Sequence, residues 1–462
     1  MMVDGRPTAA ERLSAFAVGL AGDDIPAEVK RCAQLHLLDA IGCGLAASAL
    51  GVGGAGRTVA AAMGGVAEAT VIGHATRLPA ANAALANGSL IHALDFDDTH
   101  GASITHPAAV VVPAALAAAE RAGSSGGDLV AALVVGNEVV ARVGAAASGA
   151  FHARGFHPTS IAGVFGAAAA AARLQGANAR TTTHALGIAG SLASGLFAYL
   201  ADGTATKPLH AGWAAHAGLL AAALAAAGGA GPRSVLEGRF GLYDAFTASA
   251  AEGLEGQLAT LGTTWETTRL AYKPFPVCHY MHGVLGAAAT LTLDAGAIDE
   301  IVVSVPAAAV PLVLEPAAAK LAPRSDYDAK FSLPFALAAL IVDGRLSLAS
   351  FTADKLTAPA IADLSRRITY EIEPFASERS AFPGGLRVRL NDGHVLAARL
   401  EHQQGAPENP LPEEAVVAKF RDNAGLALAD GDCDRLETAI LALDDEEPRR
   451  AFAALAAAGE RG

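Results

Sequence analysis

A mostly α protein is what this chain predicts: a large all-helical domain over residues 1–268, a smaller α+β domain over 269–403, and C-terminal helices over 404–462 that return to the first. Three observations carry this expectation. From Thr8 to about Gly262 apolar residues recur at helical spacing between Gly, Pro and Asn boundaries. Around Tyr272 the texture changes to short β-branched or alternating runs. A Pro-containing linker at 405–412 then precedes two amphipathic stretches. At 462 residues the chain exceeds one ordinary core, so more than one domain is expected.

Taken in order, Ile25-Pro26 opens a helix whose apolar residues Val29, Cys32, Leu35, Leu38 and Ile41 follow a three-to-four spacing. Pro79 opens a helix expected to run into the acidic segment at 95–98. Residues 108–122, 127–148, 159–175 and 180–200 predict further helices, and Ala and Gly on most faces imply closely approaching backbones. In the second domain 300–305 (EIVVSV), 367–372 (RITYEI), 386–390 and 395–400 predict strands. The last two are joined by Asn391-Asp392-Gly393, a hairpin signal. Helices are expected at 331–341 and 350–361.

Composition narrows the function classes. A hydrophobic fraction of 52% argues for extensive burial, and a net charge of −13 without a Lys/Arg cluster argues against nucleic acid or an anionic membrane as partner. Cys32, Cys43, Cys278 and Cys433 are scattered without metal-ligand spacing, which fits a reducing compartment. The N-terminal residues lack the order of a signal peptide, and the Ala-rich run at 214–230 is expected to fall short of a spanning helix. A cytoplasmic location is expected.

The most polar stretch is 85–107. Within it lie Asp95, Asp97, Asp98, Thr99, His92, His100 and His106, in a chain with only 17% charged residues. Helical spacing would place His92, Asp95 and Thr99 along one face, followed by a glycine-containing loop and His106-Pro107. Two interpretations stand: an acid–base site, or a solvated helix end whose aspartates bond loop amides. Further polar spots are FHPT around His157, GTATK ending at Lys207 with His210 and His216 beyond, and YKPFPVCH carrying Lys273, Cys278 and His279. His282 lies one turn on, and SDYDAK precedes another helix. Lys273 sits at a domain boundary, where ligand clefts are favoured. Two motifs are set aside or kept second. GVGGAG at 51–56 matches GxGxxG but follows a helix pattern rather than a strand. LDFDDT at 94–99 resembles the DxDxT motif of magnesium-dependent phosphatases, which needs a strand delivering the nucleophilic Asp.

Taken together, ALDFDDT…THP, GFHPTSIAGVFGAA, GTATKPLHAGWAAHAG, YKPFPVCHYMHG and DYDAKFSLPFALA resemble the MmgE/PrpD family over nearly the whole chain. That family includes 2-methylcitrate dehydratase, cis-aconitate decarboxylase and iminodisuccinate epimerase. The resemblance implies a helical domain with an α+β lid, a homodimer, a site between the domains, and no cofactor or metal. It places catalytic positions on Asp95, Thr99, His106, His157, Lys207 and Lys273, with Lys207, Lys273, Cys278 and His282 binding a small polycarboxylate. Cis-aconitate decarboxylases carry histidine where this chain has Cys278, and a tyrosine that corresponds loosely to Val310.

Every reaction of the family moves a proton at a carbon next to a carboxylate. Such a site needs cations to hold carboxylates, and an acid and a base near neutral pKa. The expectation is a lyase, dehydratase or decarboxylase, with an iminodisuccinate-type epimerase as the alternative. His157 before a helix start is expected to be neutral and the base. His106, beside three aspartates, is expected to favour its charged form and be the acid.

Overall fold

The computed structural model describes residues 6–248, 252–377 and 381–443. The first helix, α1 (Ala9–Gly19), starts from a capping box in which Thr8 accepts from the Glu11 amide and Glu11 answers the Thr8 amide. The central helix, α2 (Ala27–Ala49), is buried along most of its length, because Ala, Gly and Cys let neighbours close on every face. After α3 (Gly54–Ala62), a short hairpin of β1 (Ala69–Val71) and β2 (His74–Leu78) leads into α4 (Ala80–Ile91).

Here the structure departs from the sequence expectation: α4 stops at Ile91, and the acidic segment is not helical. Asp95 takes a positive φ of 52°, and its amide bonds the His92 carbonyl in a tight turn. Aspartate tolerates this region because its short polar side chain competes for local backbone bonds. The alternative of a solvated terminus also fails, since Asp95, Asp97 and Asp98 are all at most 1% exposed. The segment leaves as β3 (Thr99–His100), which pairs antiparallel with β4 (Leu270–Ala271) and so draws the start of the second layer against the acidic loop.

The helical layer continues with α5 (Ala108–Ala122), α6 (Gly126–Ala145), one-turn α7 (Ala150–Ala153), α8 (Pro158–Leu174), α9 (Ala179–Leu192) and α10 (Lys207–Ala226). Helix α9 ends short of the expected 200. Gly195, at φ +121°, turns the chain into an extended piece and a 3-10 turn, Phe197–Ala201. Helix α10 crosses α4 at Gly88 and Gly212, where a Cβ on Gly88 would lie 2.8 Å from the Gly212 Cα. Short helices α11 (Leu242–Thr247) and α12 (Leu254–Ala259) close this layer.

Beyond β4, helix α13 (His282–Ala289) backs a four-stranded sheet built from β5 (Ile298–Val305), β6 (Ile368–Ile372), β7 (Gly384–Leu390) and β8 (Val395–Leu400). The order is β6-β5-β7-β8, with β5/β6 parallel and the other pairs antiparallel. Before α17 (Leu333–Asp343) come three one-turn helices, α14 (Val310–Val313), α15 (Ala317–Leu321) and α16 (Asp326–Ala329). The helix expected at 350–361 is instead a 3-10 turn, a single turn α18 (Ala353–Leu356), and α19 (Pro359–Ser365). Pro359 lacks the N–H a continuous helix requires there. Ile301, Val303, Leu386 and Val388 pack with α13 and α17 into a second hydrophobic core. Helices α20 (Glu413–Ala424) and α21 (Asp430–Leu441) return to the first core, where the Phe420 ring meets α2 at Gly42.

By length and composition α2 and α10 are apolar enough to cross a membrane, contrary to the expectation for the Ala-rich stretch. Of their most apolar windows, 83% and 56% respectively are buried inside the protein.

Candidate active site

Asp95 is the centre of the site. Its Oδ1 accepts from Lys207 Nζ at 2.6 Å and from Lys273 Nζ at 2.9 Å, and its carbonyl accepts from Lys273 at 2.9 Å. Lys207 is the first residue of α10, and Lys273 follows β4, so two distant segments converge on one loop. Burial alone would raise the Asp95 carboxyl, but the two ammonium groups outweigh it and hold it well below the usual range. Burial opposes the charge on Lys273, and Asp95 with Asp97 more than restores it. Lys207, the less buried of the two lysines, presents its ammonium group at the outer side of the clamp. The N-terminus of α10 adds to it at the same spot, which suits an incoming anion.

Beside this clamp stand three imidazoles. His92 Nδ1 donates to both Asp97 oxygens, at 2.9 and 3.0 Å, and its buried Nε2 has no hydrogen-bond partner among the described residues. Its ring lies 4.8 Å from that of His106 and stacks at 5.6 Å on that of His157. His106 Nδ1 lies 2.6 Å from the Asp98 carbonyl oxygen and 3.1 Å from the Thr99 hydroxyl. A carbonyl only accepts, so Nδ1 carries the hydrogen and Nε2 keeps a lone pair. The His106 amide bonds the Thr159 hydroxyl at 3.1 Å, which ties the two histidine turns together. His157 occupies the N-cap position of α8 without a side-chain cap bond, with Nδ1 at 3.2 Å from His210 Nδ1 and a buried Nε2 that has no partner among the described residues.

His106 and His157 are both held neutral. Burial, then Lys207 and Lys273, hold His106 well below its ordinary value, and the nearby aspartates do not compensate. The expectation of a charged His106 is thereby overturned. Burial, Lys207 and the neighbouring imidazoles lower His157 likewise. His92, His106 and His157 place ligand-type nitrogens within 4.8 Å of one another, and His92, Asp95 and Asp97 do so too; these are the described residues that could hold a metal.

A cavity opens between the two layers. Of the residues singled out from sequence, Thr99, His106, His157, Lys207 and Cys278 line it. Asp95 and Lys273 lie directly behind, fully buried. His282 is farther back in the lid, its Nε2 3.3 Å from the Val277 carbonyl, so it does not reach the cavity. Burial and Asp95 raise the Cys278 thiol, which disfavours the thiolate. Sequence reasoning gave no site role to His152, Tyr199, His279 and Phe331, which also line the wall, nor a paired role to His92 and His210. His210 and His279 stood inside quoted motifs; Tyr199 carried no signal, because its turn was expected to be helix.

A buried cation–carboxylate clamp beside neutral imidazoles, in a cavity between a helical layer and an α+β layer, defines an acid–base enzyme site. The chain belongs to the MmgE/PrpD family: residues 11–253 match the MmgE/PrpD N-terminal domain and 275–445 the C-terminal domain. Its similar relatives include a human cis-aconitate decarboxylase, 33% identical over 80% of this chain and 78% of the relative. A mouse cis-aconitate decarboxylase is 31% identical over 80% of this chain and 77% of its own. One from Aspergillus terreus is 29% identical over 93% of this chain and 92% of its own. The protein is an enzyme of this family. The phosphatase alternative has no support, since Asp95 lies in a turn with its carboxylate engaged by two lysines.

Proposed function

We propose that the protein is a cofactor-independent lyase that decarboxylates or dehydrates a small tricarboxylate of the cis-aconitate class. The observation that carries this is the Lys207–Asp95–Lys273 clamp set beside two neutral histidines. Lys207 and the α10 N-terminus attract one substrate carboxylate into the cavity. In decarboxylation a C–C bond breaks, CO₂ leaves, and the electron pair passes to carbon, delocalised toward a remaining carboxylate. That carbon then takes a proton from an imidazole N–H. In dehydration a base removes the proton next to a carboxylate, and hydroxide departs with a proton from the acid. The lone pair on His106 Nε2 suits it to be the base, and His157 to be the donor, the reverse of the order expected from sequence. Cys278 with Leu312, Phe331 and Phe382 makes the facing wall largely apolar.

Association into a homodimer is part of the proposal. It is supported by an uncharged stripe on α10 formed by Leu209, Trp213, Leu220 and Leu224, each 37–43% exposed. A small polycarboxylate is the proposed partner, without nucleic acid or membrane, in the cytoplasm. Four free cysteines and the charge of −13 favour that setting.

Proton NMR in D₂O tests the reaction. With cis-aconitate, citrate and 2-methylcitrate offered to protein dialysed against chelator, vinyl signals should appear from one acid, with a solvent deuterium if CO₂ leaves. Deuterium exchange without net product would favour the epimerase instead. No change in any acid would remove the proposal.

A further inference from the structure

We infer that His210 is a proton-relay residue: it reloads His157 through the direct Nδ1···Nδ1 contact, so that a neutral imidazole can give a proton to substrate carbon in each turnover. This rests on the lyase reading above.

A neutral imidazole that donates a proton to carbon becomes an imidazolate unless its other nitrogen is reprotonated in the same event. At His157 that other nitrogen is Nδ1, and it faces a nitrogen, 3.2 Å away, rather than a carboxylate or carbonyl. Between two ring nitrogens one must carry the hydrogen. If His210 Nδ1–H donates, His157 holds its hydrogen on Nε2, the buried atom that lacks a partner among the described residues, in a ring that lines the cavity. The transfer then balances without an ion. The His157 Nε2–H passes to substrate carbon, the His210 Nδ1–H passes to His157 Nδ1, and His210 takes a proton from solvent on its own Nε2. Each ring ends as the other tautomer, and the reset runs in the opposite sense: water entering the emptied cavity protonates His157 Nε2, the His157 Nδ1–H passes back to His210 Nδ1, and His210 returns its Nε2 proton to solvent.

Three features fix His210 for this work. It sits one turn into α10, three residues after Lys207, so the helix that presents the cation also presents the relay. Its carbonyl accepts from Ser160 on α8, and the His157 amide bonds the Gly195 carbonyl at 3.0 Å, which locks the two histidine-bearing helices to one loop. Gly195 leaves room for the ring, since a Cβ there would stand 3.3 Å from the His210 ring and 3.1 Å from Ser160. His210 keeps 9% of its surface against 2% for His157, so it is the member of the pair nearer solvent. Burial, with His92 and Lys207, lowers His210 to about 4, which keeps the relay neutral like its partner.

The experiment compares wild type, His210→Gln and His210→Ala, with melting temperature measured on each. Glutamine can keep a hydrogen bond to His157 but cannot pass a proton. Expected are a kcat about ten- to a hundredfold lower in both variants, KM within about twofold, and unchanged melting of His210→Gln. Added imidazole should restore kcat in His210→Ala in a concentration-dependent way, which a packing defect would not show. Wild-type kcat in His210→Gln, or a loss in His210→Ala that imidazole leaves untouched, overturns the relay alone. If wild type turns over none of the acids, the lyase reading falls and the relay with it.

Discussion

Lys207 and Lys273 share one carboxylate oxygen but occupy different places, and their variants should separate accordingly. Lys207 lines the cavity; Lys273 is fully buried behind it. Loss of a charge-assisted contact to substrate costs about 1.5–3 kcal/mol, so Lys207→Ala should lower kcat/KM by roughly ten- to a hundredfold with little change in melting. Lys273→Ala breaks a buried pair and should additionally destabilise the fold by about 3 kcal/mol or more. Kinetics with calorimetry on both variants checks this, and equal melting temperatures would place Lys273 in the cavity instead. The same residues show what sequence could not supply. Polar groups out of character with an Ala-rich chain were visible at once, and Asp95, Thr99, His106, His157 and Lys207 do converge. Their protonation was not visible, because His106 is governed by burial and then by lysines far away in sequence rather than by its neighbouring aspartates: Asp95 meets Lys207 across 112 residues and Lys273 across 178.

At the scale of elements, period and punctuation identified the long helices and the four-stranded sheet, including the hairpin at Asn391–Gly393. What failed were the places where a helical pattern ends without a strong stop signal. The turn at 93–98 and the piece at 193–201 both read as helix, since His92, Asp95 and Thr99 share a helical spacing that tertiary contacts override. The second supplies the cavity residues Phe197, Tyr199 and Leu200, and the first supplies Asp95 behind them. Helix α10 links site and surface: Lys207 and His210 face inward, while Leu209, Trp213, Leu220 and Leu224 recur at spacings of four and seven on its outer side. Two copies carrying −13 each repel, so an uncharged stripe is the face on which they can meet. Wild type should therefore sediment at twice the 46.3 kDa chain mass, and the double variant Leu220→Glu, Leu224→Glu at the single mass. A monomeric wild type at micromolar concentration would exclude the stripe as an interface.

For the whole molecule, the buried titratable groups set opposing pH limits. His36 stacks on Tyr272 at 4.2 Å and faces Asp98 at 3.2 Å; burial opposes its charge, but Asp98 and Cys32 raise it to about 9. Its folded value exceeds the unfolded ~6.5, so its contribution is complete below pH ~6.5 and is lost as pH rises toward 9. His152 and His210 are lowered to about 4, chiefly by burial, so their contribution is complete above ~6.5 and is lost as pH falls toward 4. Lys330, lowered by burial to about 8, adds stability as pH rises above 8 and offsets the remaining His36 loss. Unfolding free energy should thus peak near pH 6.5. It should fall by about 1.4 kcal/mol per unit up to pH 8, where one proton is at stake, and about twice as steeply on the acid side, where at least two are. Urea titrations from pH 5 to 8.5 measure the curve directly. His36→Phe should remove the alkaline limb and leave the acid limb in place, because the neutral histidines around the cavity are untouched; a stability that rises steadily from pH 5 to 8 in the wild type would show that His36 is not the charged member of its pair.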